Sequence, residues 1–158
     1  MKNFSPEIRK SGVVDVTFGR DVKIVEPVNL YGCDIGDNCF VGPFVEIQNN
    51  VTIGSGTRIQ SHTFICELVT IGEDCFIGHG AMFINDSFRT GRPAYDAPED
   101  WLPTKLGNQI TIGSNATILP VEVCDHVVIG AGSVVTKDIN RPGIYFGNPA
   151  VLMREIPD

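Results

Sequence analysis

Three histidines, five cysteines and a polar stretch opening at Asn85 and Asp86 are the parts of this 158-residue chain with chemistry to offer. A catalytic or structural zinc needs three or four N or S ligands converging at about 2.0–2.3 Å. His62 and His79 stand 17 residues apart, nearly one full coil of the repeat described below, and His126 lies far along the chain, each in a different local context. No metal is expected on that pattern. The cysteines are odd in number and none sits in a C-x-x-C pair, so neither a complete disulfide framework nor a zinc ribbon is implied. They read as reduced thiols, with Cys39 and Cys75 as small packing residues.

The stretch "FINDSF", residues 83–88, begins the one long segment that lacks the regularity of the rest. It carries Phe88, Tyr95 and Trp101 among Asn85, Asp86, Arg89, Arg92, Asp96, Glu99, Asp100 and Lys105. Disordered segments are poor in aromatics, and irregular loops beyond about 12–15 residues in a compact domain are usually functional or disordered. A loop that docks on something is therefore expected. Residues 80–125 hold no histidine. A hydroxyl acceptor is a weak nucleophile until a base removes its proton, a step worth about 10²- to 10⁴-fold. A neutral amine already presents its lone pair and mainly needs orientation and oxyanion stabilisation. By residue type alone, Asn85 and Asp86 suit a plain turn leaving a strand.

Those residues have to be held by something periodic. Every sixth residue from Ile35 is apolar: Ile35, Val41, Ile47, Ile53, Ile59, Ile65, Ile71, Ile77 and Phe83. The series resumes at Leu106, Ile112 and Ile118, then at Val123, Ile129 and Val135, and Phe18, Ile24 and Leu30 precede it. Four positions after each anchor stands a small or β-branched residue: Cys39, Val45, Val51, Thr57, Thr63, Val69, Cys75 or Ala81. A six-residue period drifts by about 240° per repeat around an α-helix and leaves no apolar stripe. Short strands separated by turns such as "IGSG", "IGED" and "IGHG" accommodate it, and three such units close one coil of about 18 residues. Stacked coils make a parallel β-helix.

Composition limits the partners. A single domain of this length can bury a core. The formal charge of −7, from 12 Lys and Arg against 19 Asp and Glu, argues against general nucleic-acid binding. "MKNFSPEIRK" has no apolar signal region and no apolar run reaches the roughly 18 residues of a membrane span. A cytoplasmic protein without a membrane span is expected.

The repeat, "IGAGSVVTKDI" at residues 129–139 and "GNPAVLMREI" at residues 147–156 resemble the hexapeptide-repeat acyltransferases. The resemblance implies an all-β, left-handed parallel β-helix over about residues 13–139, with an inserted loop at about 84–106 and a tail at 140–158. The hand comes from the family alone, since parallel crossovers in general favour the other one. Pro149 suggests a short helix through "AVLMRE" that caps the open end. Members of the family are homotrimers with active sites between neighbouring prisms. A γ-class carbonic anhydrase shares the fold but requires the zinc that the histidines do not support.

Within the family, the stretch at residues 62–96 is most similar to enzymes that acetylate the 3-amino group of nucleotide-linked deoxy sugars. That similarity implies acetyl-CoA as donor, a dTDP- or UDP-linked amino sugar as acceptor, Asn85 orienting the amine and Asp86 giving a second hydrogen bond or accepting a proton. His62 is the candidate for an assisting base or substrate contact. By position in the family's groove, Ser114 and Ala131 would flank the pantetheine arm of coenzyme A, with Thr136, Lys137 and Arg154 meeting its phosphates. By residue type, Arg89 and Arg92 suit a diphosphate and Tyr95 or Trp101 a base. The rival readings are an O-acetyltransferase and a non-catalytic trimeric β-helix scaffold.

Overall fold

The computed structural model describes residues 6–7, 11–95 and 97–156; Asp96 and the outermost terminal residues lie outside that set. Short strands fall into three parallel walls of seven, six and eight strands. The first wall holds Val13–Val14, Asn29–Tyr31, Glu46–Ile47, Phe64–Ile65, Met82–Phe83, Thr117–Ile118 and Val134–Val135. The second runs from Thr17–Phe18 to Glu122–Val123, and the third from Lys23–Ile24 to Gly143–Phe146. Each strand pairs with the strand one coil away, so Asp34 lies beside Thr52 and Ile35 beside Ile53. This is the left-handed parallel β-helix expected, of about seven turns.

The register explains the sequence period. Every anchor from Ile35 to Phe83 is buried at 2% exposure or less, and so is each small residue four positions later. Two side chains per unit fill the prism while the residue before each anchor faces out. Thr57 and Thr63 occupy inward positions without leaving an orphan hydroxyl: Thr57 Oγ1 donates to the carbonyl of Gly72 and Thr63 Oγ1 to that of Gly78. At the first coil, stacked from one side only, Phe18 remains 38% exposed.

Most corners turn through one residue with positive φ: Asn38, Asn50, Gly56, Asp74, Gly80, Asn115 and Gly132 among them. This left-handed conformation is easy for Gly and tolerable for Asn and Asp. Phe44, at φ 61°, and Leu68, at φ 69°, are bulky residues in the same position.

The chain leaves the prism after Phe83 and returns at Thr104–Leu106 in the second wall. Its excursion contains one 3₁₀ turn, Pro98–Asp100. The tail corrects one expectation. Residues 151–154 form a strand, antiparallel to Gly143–Phe146, where a short helix was anticipated. The reason is local competition: six residues cannot meet the nucleation cost of an isolated helix, while the last strand of the third wall offers an unpaired edge. The hairpin still closes the end of that wall.

Candidate functional site

The candidate residues occupy three different edges of the prism. Asn85 and Asp86 begin the excursion at the corner between first and second walls. The side-chain amide of Asn85 donates to the carbonyl of Glu67 at 3.3 Å, and its backbone carbonyl accepts from Leu102 at 2.8 Å. Its side-chain carbonyl oxygen has no hydrogen-bond partner among the described residues and is not buried away from solvent. The result is a fixed amide with an open acceptor. Asp86 is committed differently: its two carboxylate oxygens accept the backbone N–H groups of Phe88 and Ala94, each at 2.8 Å, and it bridges to Trp101 across the base of the loop. These bonds tie both strands of the excursion together.

Arg89 pairs with Asp100 inside the loop. Arg92 is exposed with no ion pair among the described residues, and Tyr95 is 74% exposed. Trp101 is half-buried at the loop's return. Of the four loop residues expected to meet substrate, Arg92 and Tyr95 make no side-chain hydrogen bond or ion pair among the described residues.

His62 sits on the opposite edge of the first wall, at the corner between third and first walls. Its ring stacks on Phe44 with centroids 4.9 Å apart. One coil on, His79 Nδ1 meets Ser61 Oγ at 2.9 Å. His126 is at another corner, and the described residues contain no group of three or more His, Cys, Asp or Glu placed to hold a metal ion. Within one chain His62 and Asn85 do not meet.

Ser114 and Ala131 share the third-to-first corner in consecutive coils, joined by Gly132 N–H donating to the Ser114 carbonyl at 2.9 Å. A Cβ built on Gly132 would find nothing within 4 Å, so this corner has room along its outer side. Thr136 and Lys137 follow the last strand of the first wall and belong to its other edge. Arg154 lies on the terminal hairpin opposite Ile144. The five residues expected at coenzyme A are therefore split between separate edges in a single prism.

A feature missed in the sequence crosses the first wall. Asn29 Nδ2 and Gln48 Nε2 both donate to the Glu46 carboxylate at 3.1 Å, and Asn49 Nδ2 donates to Glu67 at 3.3 Å. Tyr31 lies among them; burial first, then the Glu46 charge, pushes its phenol upward. Beyond this polar track the outward row continues with Phe64, Met82, Thr117 and Val134. Asn29 and Glu46 precede anchors in the ordinary outward positions and Tyr31 and Gln48 follow them, so only the register reveals them as one network.

Comparison with known proteins follows the repeat. The family described as bacterial transferase hexapeptide (six repeats) matches residues 32–67, and the hexapeptide repeat of succinyl-transferase matches residues 68–84 and 103–137. The chain is 29% identical over 147 residues to the bifunctional protein GlmU of Synechococcus sp. (strain CC9605), which aligns 92% of this chain and 30% of that protein. It thus spans about a quarter to a third of the length of the curated relatives it matches. AntD, an N-acyltransferase from Bacillus cereus solved in complex with dTDP and coenzyme A, superposes with TM-score 0.79 at 21% identity, covering 88% of this chain and 83% of AntD. That likeness is one of fold. A galactoside acetyltransferase in complex with coenzyme A gives TM-score 0.68 at 32% identity, covering 78% of this chain and 65% of that one.

Proposed function

We propose that this chain, which belongs to the bacterial hexapeptide-repeat transferase family, is an acetyl-CoA-dependent N-acetyltransferase. Its acceptor is the 3-amino group of a dTDP- or UDP-linked amino deoxy sugar, and it works as a homotrimer. The observation that carries the reading is Asn85, whose amide is pinned by the Glu67 carbonyl with its own carbonyl oxygen left open. That oxygen accepts an N–H of the sugar amine and aims the nitrogen lone pair. The ligands of the similar structures, dTDP with coenzyme A and coenzyme A alone, support the class of both substrates.

The neutral amine attacks the thioester carbonyl, and the tetrahedral intermediate expels the thiolate. A proton leaves the nitrogen as the amide forms and the thiolate takes one up, so each turnover gives amide and free thiol. Backbone N–H groups lining the coenzyme groove hold the oxyanion. Asp86, already bonded to two backbone N–H groups, acts by holding the loop over the acceptor. Arg89, Arg92, Tyr95 and Trp101 cover the substrate from that loop.

Ser114 and Ala131 flank the pantetheine arm on the open third-to-first corner, and Thr136, Lys137 and Arg154 supply phosphate contacts. Because these groups lie on different edges of one prism, as do His62 and Asn85, the reading requires neighbouring prisms to complete each site. A hydroxyl acceptor is the second reading, favoured by the imidazole of His79 held on Ser61, which is a positioned base of the kind O-acetylation needs.

Thiol release from acetyl-CoA, followed with a panel of amino-sugar nucleotides and hydroxyl acceptors, tests both. Turnover with a 3-amino sugar nucleotide, reduced in Asn85→Ala, is the expected result. Turnover confined to hydroxyl acceptors, with Asn85→Ala unaffected, moves the assignment to O-acetylation. A chain that neither binds nor cleaves acetyl-CoA is a scaffold.

A further inference from the structure

From the cavity beside Phe44 we infer that this corner is the subsite for the base of the nucleotide sugar, a pyrimidine stacked on the Phe44 ring with its N–H edge on Glu46. The inference rests on the nucleotide-sugar reading above and moves base recognition away from Tyr95 and Trp101, leaving those rings to the sugar.

Phe44 is the first observation. The corresponding positions at Asn38, Asn50 and Asn115 hold φ 58° with an asparagine, a residue that tolerates this conformation; an aromatic residue there is an outlier that the surroundings must impose. Folding alone gives no reason for the ring, since it is 58% exposed. A strained, exposed aromatic residue is the pattern of a binding surface, where strain is retained for function.

The second observation is the space next to it. A cavity of about 290 Å³ is lined by Ser11, Pro27, Val28, Asn29, Phe44, Val45 and Glu46, near the lower end of the range of small-ligand sites. Its Pro27–Asn29 side belongs to the coil before Phe44, whereas His62, which stacks on the ring, belongs to the coil after. His62 thus covers one face of the ring, and Phe44 also lines the cavity on the side of the preceding coil. Stacking on an aromatic face is the sequence-tolerant half of base recognition.

The third observation supplies the polar half. Glu46 is held by two amides, Asn29 and Gln48, so its carboxylate is a fixed acceptor. Asn29 spends one amide hydrogen on Glu46 and retains a second. An acceptor beside a donor complements a ring N–H beside a carbonyl, the edge that uracil and thymine present. The corner also continues toward Ser114 and Ala131, so a base bound here and an acyl donor there approach one another along the same edge from opposite ends.

Isothermal titration calorimetry of UMP and dTMP against the full chain tests the subsite without acetyl-CoA or amine. Phe44→Asn places at this corner the residue found at equivalent ones, so it preserves the turn and should melt no lower than wild type. It is expected to weaken both nucleotides by roughly tenfold or more, with a several-fold loss in Glu46→Gln and far weaker binding of ribose 5-phosphate to the wild type. Failure of wild type to bind either nucleotide, ribose 5-phosphate binding as tightly as UMP, or nucleotide binding unchanged in Phe44→Asn would each overturn the subsite. So would an altered oligomeric mass in Phe44→Asn with unchanged nucleotide affinity, which would make the ring an interface residue. Nucleotide binding in a chain that acetylates no amine sinks the activity and leaves the subsite; full turnover of a nucleotide sugar by Phe44→Asn does the reverse.

Discussion

The corner between the second and third walls and the corner between the third and first walls make the same turn with different residues. In the former, side chains bond from coil to coil: Asp37 Oδ1 accepts Arg20 N–H at 2.7 Å, Ser55 Oγ accepts Asp37 N–H at 3.2 Å, and Asn108 Oδ1 accepts Glu73 N–H at 2.8 Å. Each of these groups is occupied by its neighbour. In the latter, the same positions hold Ser61, His79, Ser114 and Ala131, with Phe44 and His62 one residue on, a cavity at one end and open space at Gly132 in the last coil. A corner whose polar groups close on themselves stabilises stacking and has nothing left for a ligand. A corner that keeps the Ser61–His79 bond but otherwise carries an exposed Phe44 ring and small residues is the one with capacity to bind.

The largest effect that could break this contrast is steric. A Cβ on Gly72 would lie 2.4 Å from the Gly107 carbonyl oxygen and 2.6 Å from its carbon, both backbone atoms of the next coil. Gly72→Ala should therefore cost about 3 kcal/mol, the upper part of the overpacking range. Gly132→Ala meets no atom within 4 Å and carries only the penalty of its φ of 68°, about 1–2 kcal/mol. Urea denaturation of the two variants gives the difference directly. Equal losses would mean that the third-to-first corner is as closed in its last coil as it is further in, where a Cβ on Gly113 would lie 2.4 Å from Ala131 N.

Next in size is Asn85. Under the proposed activity, Asn85→Ala removes the amine acceptor and should lower kcat/KM by roughly 10- to 100-fold, with little change in melting temperature because its 3.3 Å bond to the Glu67 carbonyl is a single contact at the prism's edge. An equal loss of stability and activity would make Asn85 a turn residue.

The periodic half of the protein was legible because each buried position obeys one rule: an inward anchor, a small partner four residues later, and a turn. Ile59 and Thr63 could be placed inside without knowing their neighbours, and both are. What escaped depended on register between coils. Asn29, Glu46 and Gln48 look like ordinary outward residues, and their meeting on one carboxylate follows only from pairing Asn29 with Glu46 one coil away. The tail misled because Pro149 is a sound helix-start signal, whereas the unpaired strand edge that captured residues 151–154 is not written in the tail. The loop's contents were readable as residue types, but which arginine pairs with Asp100 was not: Arg89 does, while Arg92 has no ion pair among the described residues.

The thiols sharpen the comparison at smaller scale. Cys66 and Cys33, near the first-to-second corner, are pushed up to about 12 and about 11, in both cases chiefly by burial. Cys124, near the second-to-third corner, is raised less and is only half-buried. Since the thiolate is the nucleophile, iodoacetamide at pH 8 should modify Cys124 first and leave Cys66 and Cys33 intact in the folded chain. The same shifts have a stability consequence. Between the ordinary thiol value near 9 and the folded value, the unfolded chain releases a proton that the folded chain retains, so stability falls as pH rises through that window. Mass spectrometry showing Cys66 alkylated as fast as Cys124 would mean that the first wall opens readily.

The smallest expected effect tests the closed corner at its exposed start. Asp37 is held below the usual carboxylate range first by the Arg20 backbone N–H and then by the Arg20 guanidinium, whose nitrogens approach at 3.1 and 2.8 Å. A depressed folded value means that the folded state favours the charged carboxylate more than the unfolded state does. Its stabilisation is therefore present above the ordinary value and is lost as pH falls through the depressed one. Asp37→Asn keeps an oxygen for the backbone N–H and loses the ion pair, so it should be slightly less stable than wild type at pH 7, with the two curves converging as pH falls toward 2. Salt divides the remaining contribution: the guanidinium attraction is exposed and screened, whereas the bond to the backbone N–H is local. A difference at pH 7 that shrinks in 0.5 M salt without vanishing is the expected result. A difference that persists undiminished at low pH would show that Asp37 supports the turn by shape alone, and that the ladder of this corner does not depend on its charge.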